Sequence, residues 1–237
     1  MRVLGVDACR DGWVGIAWGG GEQLWPYVGA TVADVLADCV ADGPVAVTGV
    51  DIPIGLPDSS AREADLAARQ AVGPRRSSVF ETPVRAALLA PDQHTAGQLN
   101  QAATGRKVSI QAFGLRHRIL EVDAWLREAA QTTDRPTVYE VHPEVSFALM
   151  AGSGRLSTLD SSKRTWAGVE QRRMLLAREG LFLAGRLGQA GAHACVDDIL
   201  DAAAVAWTAA RLAAGDARSI PDPPQVFSDG VPAAIWV

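Results

Sequence analysis

The sequence predicts an α/β protein: a mixed five-stranded sheet flanked by helices, with a helical subdomain inserted between two of its strands. Three observations carry this. The N-terminal stretch holds two apolar runs separated by an Asp-Gly pair, the strongest short-range hairpin signal. Apolar β-type runs then alternate with segments whose apolar residues recur at helical spacing. Finally, residues 59–130 are patterned as helix throughout and lie between the strand-like runs Val45–Val50 and Thr137–Val141.

Within Arg2–Trp18, RVLGVDACRDGWVGIAW, the turn at Asp11-Gly12 pairs Val3–Val6 antiparallel with Trp13–Trp18 and leaves Asp7 at a strand end. A carboxylate there is held by rigid backbone yet faces the rim of a sheet. The competing reading is that Asp7 only hydrogen-bonds the turn. Gly19-Gly20-Gly21 makes a hairpin loop, since it lacks the spacing and the following helix of a phosphate loop. Gln23–Val28 is a third strand, whose Pro26 suits an edge. Thr31, with Asp34 three residues on, opens a helix, and Val32, Val35, Leu36, Cys39 and Val40 give it an apolar stripe before Gly43-Pro44 ends it. Val45–Val50 reads as a strand covered on both faces. It ends at Asp51, and Pro53, Gly55 and Pro57 carry the chain away in an irregular turn.

In the helical segment, Ser60 is placed to cap a helix through about Val72, GPRRSSVFETP forms a loop, and Pro83 opens the next helix. Further helices fit Thr95–Ala103 and Val108–Ala130. The strand TVYEV follows, with Glu140 near its end, and His142-Pro143-Glu144 starts a helix that Gly152 stops. Ser153–Asp160 reads as loop, Lys163–Glu179 as a polar, Arg-bearing helix and Leu181–Gly188 as a short apolar one. The last long helix runs from about Val196 to Ala214. Pro221, Pro223 and Pro224 mark a stiff connector, and Ala233–Val237 adds a final strand.

A chain of 237 residues, 48% hydrophobic and 21% charged, is neither disordered nor fibrous and is long enough for one domain with an insertion. No apolar run approaches the roughly 18 residues of a membrane span, and no basic-then-apolar leader precedes the first strand. The expectation is a soluble, cytoplasmic protein. Cys9, Cys39 and Cys195 are odd in number and lack C-x-x-C spacing, which argues against a disulfide framework or a zinc knuckle. The net charge of −5 is unevenly spread: between Arg62 and Arg118 nine basic residues stand against four acids, so the remainder carries −10. One part of the chain is basic and the other holds the carboxylates.

The last helix is apolar almost all round and is therefore expected to be buried, yet its start carries Asp197, Asp198 and Asp201. The helix dipole accounts for the first two but not for Asp201, a full turn in. Asp198 and Asp201 share the face continued by Val205, Thr208 and Leu212. Buried acids without partners are expensive, and like charges raise one another's pKa unless neutralised. Bound cations answer both problems. Asp7, Asp51, Glu140, Asp198 and Asp201 are accordingly the candidate catalytic and metal-ligating residues, a set of oxygen donors of the kind Mg²⁺ or Mn²⁺ prefers. From the basic stretch, Arg75, Arg76, Arg85 and Lys107 are the candidate phosphate contacts, a type that positions nucleic acid without reading its sequence. His142 is placed at a helix start, and Trp13, Trp18, Trp166 and Trp207 are assigned to core packing.

The order of three strands with an Asp on the first, then helix, strand, later strand and an acid-bearing late helix resembles the ribonuclease H-like fold. The segments GVDACRDGWVG, GVDIPIGLP, RRSSVFETPVRAAL, YEVHPE and DDILDAAAVA are similar to the DUF429 family of predicted nucleases, over roughly Met1 to Ala214. The resemblance implies a first-strand acid at Asp7, a middle-strand acid at Asp51 or Glu140 and a late-helix acid at Asp198 or Asp201. The D-x-x-D-A run at Asp198–Ala202 is similar to the closing motif of RuvC-type resolvases. The chain departs from the pattern in offering a fourth strand-end acid and a long stretch between Asp51 and Glu140; Glu144 stands as a substitute for Glu140.

The expected activity is metal-dependent phosphodiester hydrolysis, with two cations about 4 Å apart serving an in-line displacement. The expected partner is nucleic acid, DNA or RNA, with no membrane, and a homodimer is compatible with it. Two other classes are kept: a non-catalytic binding module on the same fold, favoured by the acidic net charge, and a phosphotransferase on the related actin-like fold, disfavoured because the chain has one such domain and no Gly-rich adenosine site.

Overall fold

The computed structural model describes residues 1–129, 137–154 and 156–237. In chain order its elements are β1 (Val3–Cys9), β2 (Gly12–Trp18), β3 (Leu24–Gly29), α1 (Val32–Ala41), β4 (Val47–Val50), α2 (Glu63–Ala71), a 3₁₀ turn (Gly73–Ser78), α3 (Arg85–Leu88), α4 (Gln93–Thr104), α5 (Ile110–Gly114), α6 (Arg116–Ala129), β5 (Thr137–Glu140), α7 (Pro143–Ala151), α8 (Trp166–Arg178), α9 (Ala190–His193), α10 (Val196–Ala214), β6 (Ser219–Val226) and β7 (Pro232–Trp236). The end predicted for one helix at Ala130 lies outside the described residues. The chain divides into two compact units: Met1–Asp51 with Asp134–Arg218 and Trp236–Val237, and Ile52–Thr133 with Ser219–Ile235. Among the described residues no helix is long and apolar enough to cross a membrane.

The first unit holds the five-stranded sheet, in the order β3-β2-β1-β4-β5. The β1–β2 hairpin forms as the sequence predicts, but its two-residue loop is Arg10-Asp11, one residue earlier than expected, because Gly12 already pairs with Cys9; Val6 lies opposite Gly15, and β3 continues the antiparallel pairing to an edge. β4 lies parallel to β1, and β5 parallel to β4. This mixed sheet is consistent with a ribonuclease H-like fold. Helix α1 is fastened by the reciprocal cap of Thr31 and Asp34 and covers one face, where Gly15 leaves room for Val35.

Helix α10 covers the other face, and glycine decides how closely. A Cβ added at Gly5 would run into the backbone of Ala202 and Ala206, and one at Gly49 would meet Val205 at 2.7 Å. Because side chains alternate along a strand, the residues two steps on from these glycines, Asp7 and Asp51, face the same helix. The whole run Ala202–Ala209 of α10 is buried. Helix α7 joins it through the Ser146–Thr208 hydroxyl pair, 2.8 Å apart and fully buried.

Three local expectations are corrected. Leu181–Gly188 is not helical, because Gly180, Gly185, Leu187 and Gly188 all adopt positive φ and break the repeat. The helix expected from Lys163 starts at Trp166, where Thr165 accepts the Gly168 N–H at 3.1 Å. Trp166 itself is 76% exposed rather than packed in the core, whereas Trp13 and Trp207 are buried.

The second unit carries α2–α6 around a core of Val84, Ala87, Ala90, Ala96, Val108 and Ala112. Its α2 begins at Glu63 with Arg62 in the capping position and no side-chain cap, so Ser60 does not play that role. Arg62 is instead 1% exposed, donating to Asp65 at 2.9 Å, Thr82 at 3.1 Å and the Ile54 carbonyl at 2.8 Å. The proline-rich Ser219–Val226 is a strand, not a connector. Among the described residues it pairs only with β7, and a strand at a sheet edge tolerates residues that cannot donate to a ladder.

The close approach at Gly5 makes a sharp contrast with Gly97, a position inside α4 with open space around it. In urea titrations Gly5→Ala is expected to lose about 3 kcal/mol or more, since the clash is with backbone that cannot rotate away. Gly97→Ala is expected to gain about 0.5–1 kcal/mol from helix propensity.

Candidate metal centre

Three elements deliver one carboxylate each to a single point. Val6 of β1 pairs with Val50 of β4, the Asp51 N–H donates to the Val6 carbonyl at 2.9 Å, and so Asp7 and Asp51 stand side by side: Asp51 just past the end of β4, and Asp7 not at a strand end as expected but inside β1, which runs on to Cys9. Asp201 descends from α10. One oxygen from each of the three lies within 4.8 Å of the others.

The electrostatics follow from burial. Burial lifts the Asp7 carboxyl well above the usual carboxylate range, with the charges of Asp51 and Asp201 adding to the effect against Lys163. Asp51 is raised to about 7, by burial first, opposed by Lys163 and assisted by Glu144. Asp201 is also raised to about 7, again by burial, with Lys163 opposing and Asp51 and Glu144 assisting. The Lys163 ammonium makes an ion pair with Asp201 and lies 3.9 Å from Asp197. Burial alone would lower its pKa, but the charges of Asp201, Asp7 and Asp51 outweigh that and raise it.

The centre fits a divalent cation on two counts. Three carboxylates against one ammonium leave an excess of two negative charges when all are ionised, and all the donors are hard oxygens. Moreover, the second oxygen of Asp201, Oδ1, is buried without a hydrogen-bond partner among the described residues, a state that costs on the order of 1–3 kcal/mol, and more when charged, unless something answers it.

The other sequence-predicted acids lie elsewhere. Glu140 pairs with Val50, one residue short of Asp51, so its buried side chain points to the opposite face of the sheet. The residue that comes level with Asp51 is Val141, just past the end of β5, whose side chain lies on the Gly49 face. Asp198 sits at the third position of α10 and accepts the Cys195 N–H at 3.2 Å, the capping role open to it. Burial raises it, the Cys195 bond opposes and Asp197 assists. Glu144, at the start of α7, is held by the buried Arg172 at 2.5 Å and acts on Asp51 and Asp201 only through its charge. Arg172 also donates to the carbonyls of Ser161, at 3.2 Å, and Gly168, at 3.1 Å, which ties the segment bearing Lys163 to α8.

Sequence reasoning missed Lys163 and Arg172. One hint was available: this chain has only two lysines, Lys107 and Lys163, amid twenty arginines, and a compact ammonium suits a tight carboxylate cluster better than a planar guanidinium.

The predicted phosphate contacts belong to the second unit. Arg75 and Arg76 lie on its 3₁₀ turn. Lys107 lines a cleft of about 490 Å³ with Arg69, Ser77 and Arg106. Arg85 is engaged internally, with Asp123 at 2.6 Å and Asp229 at 2.8 Å.

Fold and site together define an α/β protein with a three-aspartate centre, two of its members buried and Asp51 half-buried, that can hold a metal ion. Its family is shown directly: residues 5–226 match the family described as protein of unknown function, DUF429, and the chain belongs to it. Comparison with curated proteins and with solved structures returns no match.

Since Asp51 titrates at about 7 in the folded chain against 3.8 unfolded, the folded state holds a proton that the unfolded state has lost. The resulting stability is complete below about pH 4 and vanishes as pH rises through 7. In the presence of a chelator, thermal melts of Asp51→Asn are therefore expected to gain on wild type steadily from about pH 4 to 7 and to level off above.

Proposed function

We propose that this protein is a metal-dependent nuclease that hydrolyses phosphodiester bonds, with Asp7, Asp51 and Asp201 holding Mg²⁺ or Mn²⁺. The observation that carries the reading is the convergence of these three carboxylates, Asp7 and Asp201 buried and Asp51 half-buried, drawn from two neighbouring strands and a helix, with no described residue hydrogen-bonded to Asp201 Oδ1. When bound, such an ion supplies Lewis acidity and neutralises the charge that gathers in phosphoryl displacement.

The chain's own groups prepare the place. Asp7 and Asp51 stand on paired strands, which fixes their spacing before any ligand arrives. Asp201 is held by a helix pressed on the sheet at Gly5 and Gly49. Lys163 keeps an ammonium beside the carboxylates, where it can orient an anionic oxygen of the substrate. Arg75, Arg76 and Lys107 are proposed phosphate contacts of the second unit, while Arg85 braces that unit through Asp123 and Asp229.

Purified protein is expected to cleave at least one of single-stranded, duplex, hybrid or branched nucleic acid when given Mn²⁺ or Mg²⁺. Asp7→Asn, Asp51→Asn and Asp201→Asn are each expected to cut the rate by more than about a hundredfold, beyond the ten- to hundredfold typical of losing a group behind the ligands. Wild-type rates in Asp7→Asn would remove the nuclease reading.

A second reading draws on the Lys163–Asp201 pair: an internal cation at the centre suits a binding module that takes no metal. Calorimetry with Mn²⁺ separates the two. On the nuclease reading Lys163→Met is expected to tighten Mn²⁺ binding at least tenfold by removing a competing charge, whereas a metal-free module shows no heat with either protein.

A further inference from the structure

The first unit contains a second concave feature, a cleft of about 910 Å³. It lies between the face of α8 that presents Trp166, Val169 and Arg173, the irregular segment around Arg186, and the first turns of α10 at Val196 and Leu200. Two of these walls also serve the aspartate centre: Leu200 precedes Asp201, and Arg164, on the cleft wall, follows Lys163. Three arginines, Arg164, Arg173 and Arg186, line the cleft, and no aspartate or glutamate does. All three are exposed. Glu170 approaches Arg173 no closer than 3.9 Å in a pair open to solvent, a contact of little strength. Trp166 holds its indole 76% in solvent, and Val196 is 57% exposed.

A flat aromatic ring displayed among exposed guanidinium groups, of which only Arg173 has an acidic neighbour among the described residues, on a chain whose net charge is −5, is matched by one ligand chemistry: an unpaired base to stack on the ring, with phosphates on either side for the arginines. Duplex hides its base faces, so the fit is to a single strand. We propose that this cleft binds single-stranded nucleic acid, with Trp166 as the stacking platform and Arg164, Arg173 and Arg186 as phosphate contacts. The proposal rests on the nuclease reading for its biological sense and names the substrate class of that site, a strand with unpaired bases, but it can fail or succeed separately.

The test is fluorescence anisotropy with labelled twelve-nucleotide deoxythymidine and uridine oligomers in EDTA, where no cleavage occurs. Trp166→Ala is expected to weaken binding of both about tenfold and Trp166→Phe to restore most of it. Arg164→Gln and Arg186→Gln are each expected to reduce the slope of log affinity against log salt by about 0.7. All are surface changes, so thermal midpoints should match wild type. The same dependence on Trp166 is expected in Asp7→Asn. Trp166-dependent binding without any cleavage overturns the nuclease reading alone. Unchanged affinity and salt slope in the cleft variants overturn the cleft alone, as does sedimentation showing that Trp166→Ala dissolves a dimer of this chain while oligomer binding persists.

Discussion

The feature on which the rest of this structure depends is the seating of α10 against β1 and β4. Gly5 and Gly49 remove the two side chains that would hold the helix off, so backbone meets backbone at Ala202 and Ala206. The same approach forces a carboxylate of the helix down toward two carboxylates of the sheet. Packing of this closeness is favourable for the alanine face and unfavourable for the acids, and the conflict is local: it falls at the strand ends, where Lys163 reaches in from outside the sheet. A chain selected for stability alone would have placed an apolar residue at 201, in keeping with the alanines that follow it. The retained charge marks the place where function overrides the packing pattern.

How much of this was legible in the residues depends on range. The β1–β2 hairpin, the capped helix at Thr31 and the buried helix from Val196 are written in local periodicity and turn chemistry, and they appear where those patterns place them, the hairpin loop one residue early. Asp7, Asp51 and Asp201 were also readable, because each breaks an apolar run. Glu140 breaks one too, and only the strand register separates it from the others: it pairs with Val50, and a shift of one residue is a change of face. That information sits in the pairing of distant strands. Lys163 was hidden for a related reason, since nothing in its neighbourhood refers to residues 38 positions later. The misread segment at Leu181–Gly188 shows the opposite failure, where apolar composition masked four backbone breaks.

The basic surplus of the middle stretch turns out to be divided. Part of it is structural: Arg62 is sealed among Asp65, Thr82 and the Ile54 carbonyl, and Arg85 joins Asp123 to Asp229. Removing one partner from a buried pair of this kind strands the other, which is typically worth 3–5 kcal/mol. The remainder includes Arg75, Arg76 and Lys107, the residues proposed above as phosphate contacts. Charge counts along a sequence therefore overstate the electrostatic footprint offered to a ligand, and the correction is read from the ion pairs.

The short segment that carries Lys163 is pinned on both sides. Arg172 grips the Ser161 carbonyl at 3.2 Å, and the Ser162 carbonyl accepts both the N–H of Thr165 at 2.9 Å and its hydroxyl at 2.8 Å. The backbone there has little freedom to swing, so the ammonium can leave the carboxylates only by rotation about its own four-carbon stem. Rotation about a side chain's own bonds is a smaller and faster class of motion than the opening of a loop. A cation entering this centre would therefore meet an ammonium that can give way without any movement of the backbone.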